Sequence, residues 1–302
     1  MWNKFINLLD IDSAVLYGTA TRICSVLVGA ITLLLLARYL SSTRLGYFYT
    51  FRSLLALQVF FELGLTTGLS TFFSHEFTQI HWHVSGELMG NELSKKRCWD
   101  IFGQSVRLFT WLSLGFLVCM IIVGFAFFSQ SYHIIGWKMP WVVSVLCTAI
   151  FLYFTPHMAI IMGSGEVSIV YKLWFWGNVL GGMLACILII TGLGIYAVST
   201  TSFGISLCIV WYLYKRKRYL LRLWPPIHVS SFAWSREIWP MQWRLAISWA
   251  SGYFIYPLFV PVLFHYWGPI PAGRMGMTLV ILNPTACPNT EKCMPKTQIT
   301  KP

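Results

Sequence analysis

The stretch ARYLSSTRLGYFYTFRSLLALQVFFELGLTTGLSTF, residues 37–72, decides the fold class. It joins an apolar run over 14–36 to a second apolar run over 48–72. Each run exceeds the roughly 20 residues that a helix needs to cross the hydrocarbon core of a bilayer. The second run nevertheless contains Arg52 and Glu62, and ionisable side chains at that depth usually face a bundle interior or a water-filled cavity. The stretch therefore predicts a membrane helix hairpin with a polar pathway between its helices.

The composition of the whole chain points to the same solvent. Of the 302 residues, 57% are hydrophobic and only 11% are charged, whereas a soluble domain carries about 25% charged residues. Lipid must therefore be the main solvent of this chain. The net charge of +12 would suggest nucleic acid as the partner of a soluble protein. We expect no nucleic-acid partner here, because the basic residues lie in loops between apolar runs, where membrane orientation explains them.

Further apolar runs follow the hairpin. They cover 108–128, 139–162, 173–191, 195–214 and 241–265. Open strands or loops would leave backbone groups without hydrogen bonds in lipid, so all these runs must be helices. The strict alternation of barrel strands is absent from them. The sequence predicts an all-α fold, a polytopic membrane helix bundle.

Lysine and arginine mark the orientation of the bundle. Loops numbered alternately from the N-terminus hold 12 basic residues in one set and three in the other. The first set contains Lys4, Lys95, Lys96, Arg97, Arg107, Lys172, Lys215, Arg216, Lys217, Arg218, Arg222 and Arg236, and the second contains Arg38, Arg44 and Lys138. The positive-inside rule then places the N-terminus and the loops 74–107 and 213–240 in the cytoplasm.

The spacing of the runs predicts the domain organisation. Residues 1–214 form a six-helix transmembrane lobe, and 215–240 form a basic, proline-containing cytoplasmic linker. Residues 241–282 begin a second lobe with one full span and an apolar stretch over 272–282 that is too short to cross a bilayer. Residues 283–302 are rich in proline, threonine and lysine, and we expect them to be a disordered tail, as an out-of-frame end would be. We therefore expect an eighth helix that is cut short.

Four ionisable residues in or near the spans are candidate site residues: Arg22, Arg52, Glu62 and Arg244. Arg52 and Glu62 are about 15 Å apart along a helix and cannot pair with each other. One interpretation places them in a charged cavity. The alternative is that Arg52 reaches the outer headgroups and that Glu62 has a structural role. Arg22 and Arg244 lie near the cytoplasmic ends of their runs, where extension of the side chain to the headgroups is favoured.

Small residues and prolines predict local features of the helices. GxxxG motifs at 64–68 and 177–181 let helix backbones approach closely, which favours packing within one bundle. Pro156, Pro257 and Pro261 each remove a helix hydrogen bond and predict kinks.

The sequence predicts no metal and no cofactor. His81 and His83 could ligate a metal, but no cysteine or carboxylate completes a known spacing. The cysteines are scattered and form no disulfide framework. Phosphate-binding loops, nucleotide-binding glycine patterns and nucleophile elbows are also absent.

The hairpin resembles a known family. ARYLSSTRLGYF (37–48) resembles the "ARYLGPEEFGLY" connection after the first helix of bacterial polysaccharide (O-antigen-type) flippases. FELGLTTGLSTF (61–72) resembles the "DLGL" end of their second helix, with Glu62 where an aspartate is usual. AGRMGMTLVILN (272–283) adds a weaker similarity. These flippases belong to the multidrug/oligosaccharidyl-lipid/polysaccharide exporter (MOP) superfamily.

The resemblance implies two six-helix lobes around a central cavity that opens to either side of the bacterial inner membrane. The substrate would be a polyprenyl-pyrophosphate-linked oligosaccharide, moved without covalent chemistry, so the chain would not be an enzyme. Arg52, Arg22 and Arg244 would bind the pyrophosphate, and Glu62 would be a counter-charge or an ion-coupling site. Membrane lipids and other polysaccharide-assembly membrane proteins are the implied partners.

Three other functions stay open. A membrane glycosyltransferase or ligase of the same pathway would need a sizeable outer loop, and the predicted outer loops are about ten residues long. A small-molecule exporter of the same superfamily would need a cavity dominated by carboxylates, whereas only Glu62 lies within a span. The third is a non-transporting remnant of a flippase, because the chain matches one lobe and about one and a half helices of the other. On that expectation, 302 residues alone would not flip substrate.

Overall fold

The computed structural model describes residues 13–83, 88–129, 136–215 and 239–282. Within these ranges the chain forms α1 (Ser13–Tyr39), α2 (Ser42–Leu55), α3 (Gln58–Glu62), α4 (Leu65–Glu76), α5 (Glu92–Phe128), α6 (Lys138–Tyr153), α7 (Thr155–Gly163), α8 (Val167–Ile190), α9 (Thr200–Lys215), α10 (Trp239–Ile255), α11 (Phe259–Trp267) and α12 (Pro269–Leu282). It also forms two short strands, β1 (Ile80–Trp82) and β2 (Leu88–Gly90), and a 3-10 helix (Gly194–Ser199). Most of the predicted linker 215–240 and all of the predicted tail 283–302 lie outside the described residues.

The helices confirm the predicted polytopic membrane bundle. Among the described residues, six helical segments are long and apolar enough to cross a membrane. They are Ser13–Tyr39, Glu92–Phe128, Lys138–Gly163, Val167–Ile190, Gly194–Lys215 and Ala246–Trp267. The pair Ser42–Glu62 and Leu65–Glu76, bent by 41°, makes a seventh span if it is counted as one. Six of the seven predicted apolar spans are therefore confirmed, and the predicted span over 48–72 is a bent pair of helical segments.

The break in that span corrects the prediction of one continuous helix over 48–72. Leu63 and Gly64 both adopt left-handed backbone conformations, with φ of 50° and 72°. Such a φ is uncommon for leucine and ordinary for glycine. The chain thus ends α3 at Glu62 and restarts as α4 one turn later. Gly64, expected to act in helix packing, is needed here for the turn.

The segment 74–107, predicted to be a cytoplasmic loop between two spans, contains two short strands and the first turns of α5. β1 pairs antiparallel with β2, with Ile80 opposite Gly90. Asn91 then begins α5, because its side-chain oxygen accepts a hydrogen bond from the Leu93 amide at 3.0 Å, as helix N-cap residues do. Hydropathy marks only the apolar part of this helix, which is why the sequence pattern placed its start at 108.

Other boundaries differ by a few residues. The fifth span begins at Val167 instead of 173, and α12 begins at Pro269 instead of 272. Proline suits the first turn of a helix because its missing N–H has no partner there in any case. Pro156 lies in the first turn of α7, just after the junction with α6, and Pro257 lies between α10 and α11. Pro261 lies inside α11, where the helix continues through it.

Three helices form the first packing layer, in which α8 lies between α1 and α9. The crossing of α8 and α9 depends on glycine. A β-carbon added at Gly177 would lie 2.6 Å from the Ile205 α-carbon, and one added at Gly181 would lie 2.7 Å from the Thr201 α-carbon. Both separations are below van der Waals contact. The predicted packing role of this GxxxG motif is confirmed.

An aromatic cluster closes the end of the bundle at which α1 ends and α2 begins, which we call the outer end because the sequence predicts that it faces outside. The Phe51 ring lies 5.0 Å from Phe128 and 4.9 Å from Trp141, in edge-to-face geometry. Phe264 of α11 lies 5.0 Å from Tyr47 and 5.4 Å from Phe128. Such aromatic pairs stabilise packing by about 0.5–1.5 kcal/mol each beyond the area they bury. The cluster thus attaches α11 to the first six spans.

The last helix, α12, packs directly along α2. Pro269, at its start, lies against Gly46, and Gly276 lies against the ring of Tyr49. A β-carbon added at Gly273 would lie 3.0 Å from the Gly46 nitrogen. The order of these contacts shows that α12 and α2 run in the same direction from the outer end. The two helices form a glycine seam, defined by Gly46, Gly273 and Gly276.

Candidate functional site

A cavity opens between α1, α2, α8, the 3-10 helix and α9, and Val280 of α12 lies at its edge. Its empty volume is about 840 Å³ when the open mouth is included. We call it the arginine cavity. Its polar lining residues are Ser25, Thr32, Tyr49, Arg52, Asn178, Thr200 and Thr201. The other lining residues are apolar or glycine, which matches the usual composition of a ligand pocket.

Arg52 is the charged residue of this lining. It lies near the end of α2, is half-buried, and interacts electrostatically with the hydroxyl of Tyr49. Tyr49 itself is 4% exposed. A guanidinium that lines an open cavity can bind an anionic group through charge-assisted hydrogen bonds.

Three of the six neutral polar residues of the lining have a side-chain hydrogen engaged within the protein. The side chains of Ser25, Asn178 and Thr200 each donate a hydrogen bond to a backbone carbonyl of a preceding residue, at 2.7, 2.8 and 3.0 Å. With these hydrogens engaged, the hydroxyl oxygens and the amide oxygen still have lone pairs to offer. The cavity thus combines one cation with several oxygen acceptors. This arrangement suits a ligand that has both an anionic group and hydroxyl donors.

The other two predicted arginines lie elsewhere. Arg22, on α1, is exposed and is not part of the cavity lining. Arg244, on α10, is also exposed, and its guanidinium carbon lies 5.7 Å from the centre of the Trp243 ring. Of the three arginines that the resemblance assigns to the substrate, the structure brings only Arg52 to the cavity.

Glu62 lies in a second polar cluster, which we call the Glu62 cluster. Glu62 is 6% exposed, and the Thr66 hydroxyl donates a hydrogen bond to its carboxylate. Gln58, one turn earlier in α3, is 8% exposed, and its side-chain oxygen has no hydrogen-bond partner among the described residues. Among the residues that the structure describes, the ion pairs join Lys95 to Glu92 and Arg97 to Glu76. Neither pair includes Glu62.

Several residues of the cavity and of the Glu62 cluster are not among the four candidates predicted from the sequence. Asn178 lies between the two glycines of a packing motif in an apolar run, and an amide in such a run must face the protein interior. Gln58 is also an amide in an apolar run, so its position in the interior could have been predicted for the same reason. Thr200 and Thr201 gave no signal, because the 3-10 helix that brings them to the cavity has no clear pattern in the sequence.

Comparisons with known proteins identify a solved structure with a similar fold. No protein-family model matches the chain, and a comparison with curated proteins finds no match. Among solved structures, the chain is similar to a MOP superfamily transporter from Pyrococcus furiosus, for which a binding pocket of reversed polarity is described. The TM-score is 0.57 at 16% sequence identity. The match covers 90% of this chain and 60% of that protein. The chain therefore has the fold of a large part of a MOP transporter.

Proposed function

We propose that this chain is part of a MOP-type transporter that flips a polyprenyl-pyrophosphate-linked oligosaccharide across the bacterial inner membrane by alternating access. Its N-terminus would lie in the cytoplasm. The observation that carries the proposal is Arg52, which lies among oxygen acceptors in a cavity of this fold. The chain spans 60% of the transporter to which it is similar, and the part of the function proposed for it is recognition of the headgroup.

Each chemical feature of the proposed substrate has a counterpart in the arginine cavity. The guanidinium of Arg52 would bind the pyrophosphate through charge-assisted hydrogen bonds. Sugar hydroxyls would donate to the oxygens of Ser25, Asn178 and Thr200. The space inside the cavity that can hold a ligand is about 110 Å³, below the usual range of about 300–1,000 Å³ for ligand pockets. It would hold the pyrophosphate, while the sugars lie at the open mouth and the polyprenyl tail stays in lipid.

In the proposed function, Arg22 and Arg244 act in a transport step before or after the ligand occupies the arginine cavity. Both are exposed, and the predicted orientation places both near the cytoplasmic ends of their helices. An exposed guanidinium at headgroup level can attract an anionic lipid carrier. We therefore propose that they meet the pyrophosphate outside the arginine cavity.

The Glu62 cluster would be the ion-coupling site. A buried carboxylate with one hydroxyl donor is costly unless it takes up a proton or a cation. A change of occupancy there would bias the broken helix α3–α4, on which Glu62 and Thr66 lie. No covalent step is part of the proposed function. Membrane lipids and other polysaccharide-assembly membrane proteins would be its partners.

Binding of farnesyl pyrophosphate to the full chain in nanodiscs tests the proposal. Loss of hydrogen bonds to a charged group costs about 1.5–3 kcal/mol, so Arg52→Gln should weaken binding about 10-fold or more. Arg44→Gln is the matched control, since Arg44 is exposed at the start of the same helix, and it should leave the affinity unchanged.

Two results would contradict the proposal. One is equal affinity of the wild-type and Arg52→Gln chains for farnesyl pyrophosphate. The other is equal binding of farnesol, which lacks the anionic group. Binding of an organic cation such as ethidium in place of the pyrophosphate would favour the small-molecule exporter instead.

A further inference from the structure

Two prolines disturb the hydrogen bonds between α10 and α11. Pro257 has no backbone N–H, and the carbonyl of Tyr253 accepts instead from Leu258 at 3.2 Å, one residue further along. Pro261 has the same effect on the carbonyl of Pro257, whose usual donor four residues later is missing. A Val260 amide at 3.4 Å is the backbone donor to that carbonyl. The two prolines thus interrupt the regular hydrogen-bond pattern at the junction of α10 and α11. We call this junction, residues 256–258, the hinge.

A side chain from another helix supplies a second donor to the Pro257 carbonyl. The hydroxyl of Ser53 in α2 donates a hydrogen bond to the Pro257 carbonyl oxygen. Ser53 is 6% exposed, so this hydrogen bond lies in the protein interior. It connects α2 directly to the hinge.

Ser53 also follows Arg52 directly. Successive residues of a helix point about 100° apart, so one turn of α2 presents Arg52 to the arginine cavity and Ser53 to the hinge. Without Ser53 the Pro257 carbonyl would keep only the long hydrogen bond from the Val260 amide at 3.4 Å, and a weakly bonded carbonyl is unfavourable in lipid. The hinge is therefore sensitive to the presence of the Ser53 donor.

We propose that Ser53 is a latch, a positioning residue that holds the junction of α10 and α11 in its present conformation through its hydrogen bond to the Pro257 carbonyl. Release of the bond would let α10 and α11 change their relative angle. The latch residue lies directly beside Arg52 on α2. Its use during transport rests on the proposed function, whereas the latch itself is a property of this chain.

The bend can be measured by pulsed electron-electron spin resonance in nanodiscs. Spin labels at Ser251→Cys and Tyr266→Cys, in a background without native cysteines, lie on exposed positions on either side of the hinge. They are about 22 Å apart along the helix. We expect a narrow distance distribution in the wild-type and Ser53→Thr chains. Ser53→Ala should broaden it at least twofold, and an unchanged width in Ser53→Ala would overturn the latch.

Repeating the Ser53→Ala substitution in a Pro261→Ala chain tests whether the Pro257 carbonyl is the acceptor. Pro261→Ala restores the backbone N–H that can reach the Pro257 carbonyl, so adding Ser53→Ala to it should leave the width unchanged. Equal broadening by Ser53→Ala in both backgrounds would overturn the proposed bond. Ser105→Ala is the control, because Ser105 is also fully buried and donates within its own helix, to Ile101 at 2.6 Å. It should not change the distribution.

Repeating the distance measurement with farnesyl pyrophosphate tests the proposed function independently of the latch. If the proposed function holds, adding it should shift the distribution in the wild-type chain and not in Arg52→Gln. A chain that shows the Ser53 effects without any response to farnesyl pyrophosphate would support the latch and count against the proposed ligand.

Discussion

Replacing Gly46 with alanine should break the glycine seam between α2 and α12. A β-carbon at Gly46 would lie 2.6 Å from the Pro269 carbonyl carbon and 2.7 Å from its α-carbon. Carbon atoms prefer separations of about 3.5–4.0 Å, so the start of α12 must move by about 1 Å. The obstacle is backbone, which cannot turn away as a side chain can.

The expected change in unfolding free energy on Gly46→Ala is the balance of two opposing effects. Overpacking of this kind costs about 1–3 kcal/mol, while alanine in a helix interior gains up to about 1 kcal/mol over glycine. Gly115→Ala isolates the second effect, because an added β-carbon there meets no atom within 4 Å. The two variants should therefore differ by about 1–3 kcal/mol in unfolding free energy.

Thermal unfolding of the detergent-solubilised chain measures that difference. A thiol-reactive fluorophore reports unfolding because Cys98 and Cys208 are 1% and 8% exposed. For a chain of this size the expected separation of the two Tm values is at least about 2 °C, with Gly46→Ala the lower. Equal Tm values would show that α12 does not pack on α2 in this way.

Further predictions concern topology, the aromatic cluster and the Glu62 cluster. A membrane-impermeant maleimide should label Leu193→Cys from outside and Lys96→Cys only after permeabilisation; the reverse pattern would invert the orientation. Trp141→Phe removes the hydrogen bond that the indole donates to the Met120 carbonyl at 3.1 Å, which should lower stability by about 1–3 kcal/mol, and an unchanged Tm would contradict that role. Dicyclohexylcarbodiimide, which reacts with protonated carboxyl groups in apolar surroundings, should modify Glu62 as judged by mass spectrometry; an unmodified Glu62 would oppose its role in ion coupling.

The membrane spans could be predicted because length and hydropathy are direct consequences of bilayer thickness. The runs 108–128 and 195–214 fall within the observed helices Glu92–Phe128 and Gly194–Lys215. The break at Leu63 could not be predicted, because its left-handed conformation depends on packing around α3 and not on the residue type. The early start of α5 was missed for a different reason, since polar helical turns outside the lipid carry no apolar signal.

The site was predictable where burial in lipid makes a residue conspicuous. Arg52 and Glu62 stand out in an apolar run, and the structure places Arg52 in the cavity lining and Glu62 in the buried interior. Arg22 was harder to place, because the side of a helix that faces a cavity depends on how that helix packs. Asn178 and Thr200 reach the cavity through the α8–α9 crossing, which is a tertiary property.

The most direct test of ligand binding at Arg52 is protection of a cysteine inside the arginine cavity. Thr201→Cys, in a background without native cysteines, would react with a water-soluble maleimide, since Thr201 lines the open cavity and is partly exposed. We predict that farnesyl pyrophosphate slows this labelling, that farnesol does not, and that Arg52→Gln abolishes the protection. Equal labelling rates with and without farnesyl pyrophosphate, or protection that persists in Arg52→Gln, would contradict the proposal that Arg52 binds an anionic lipid headgroup.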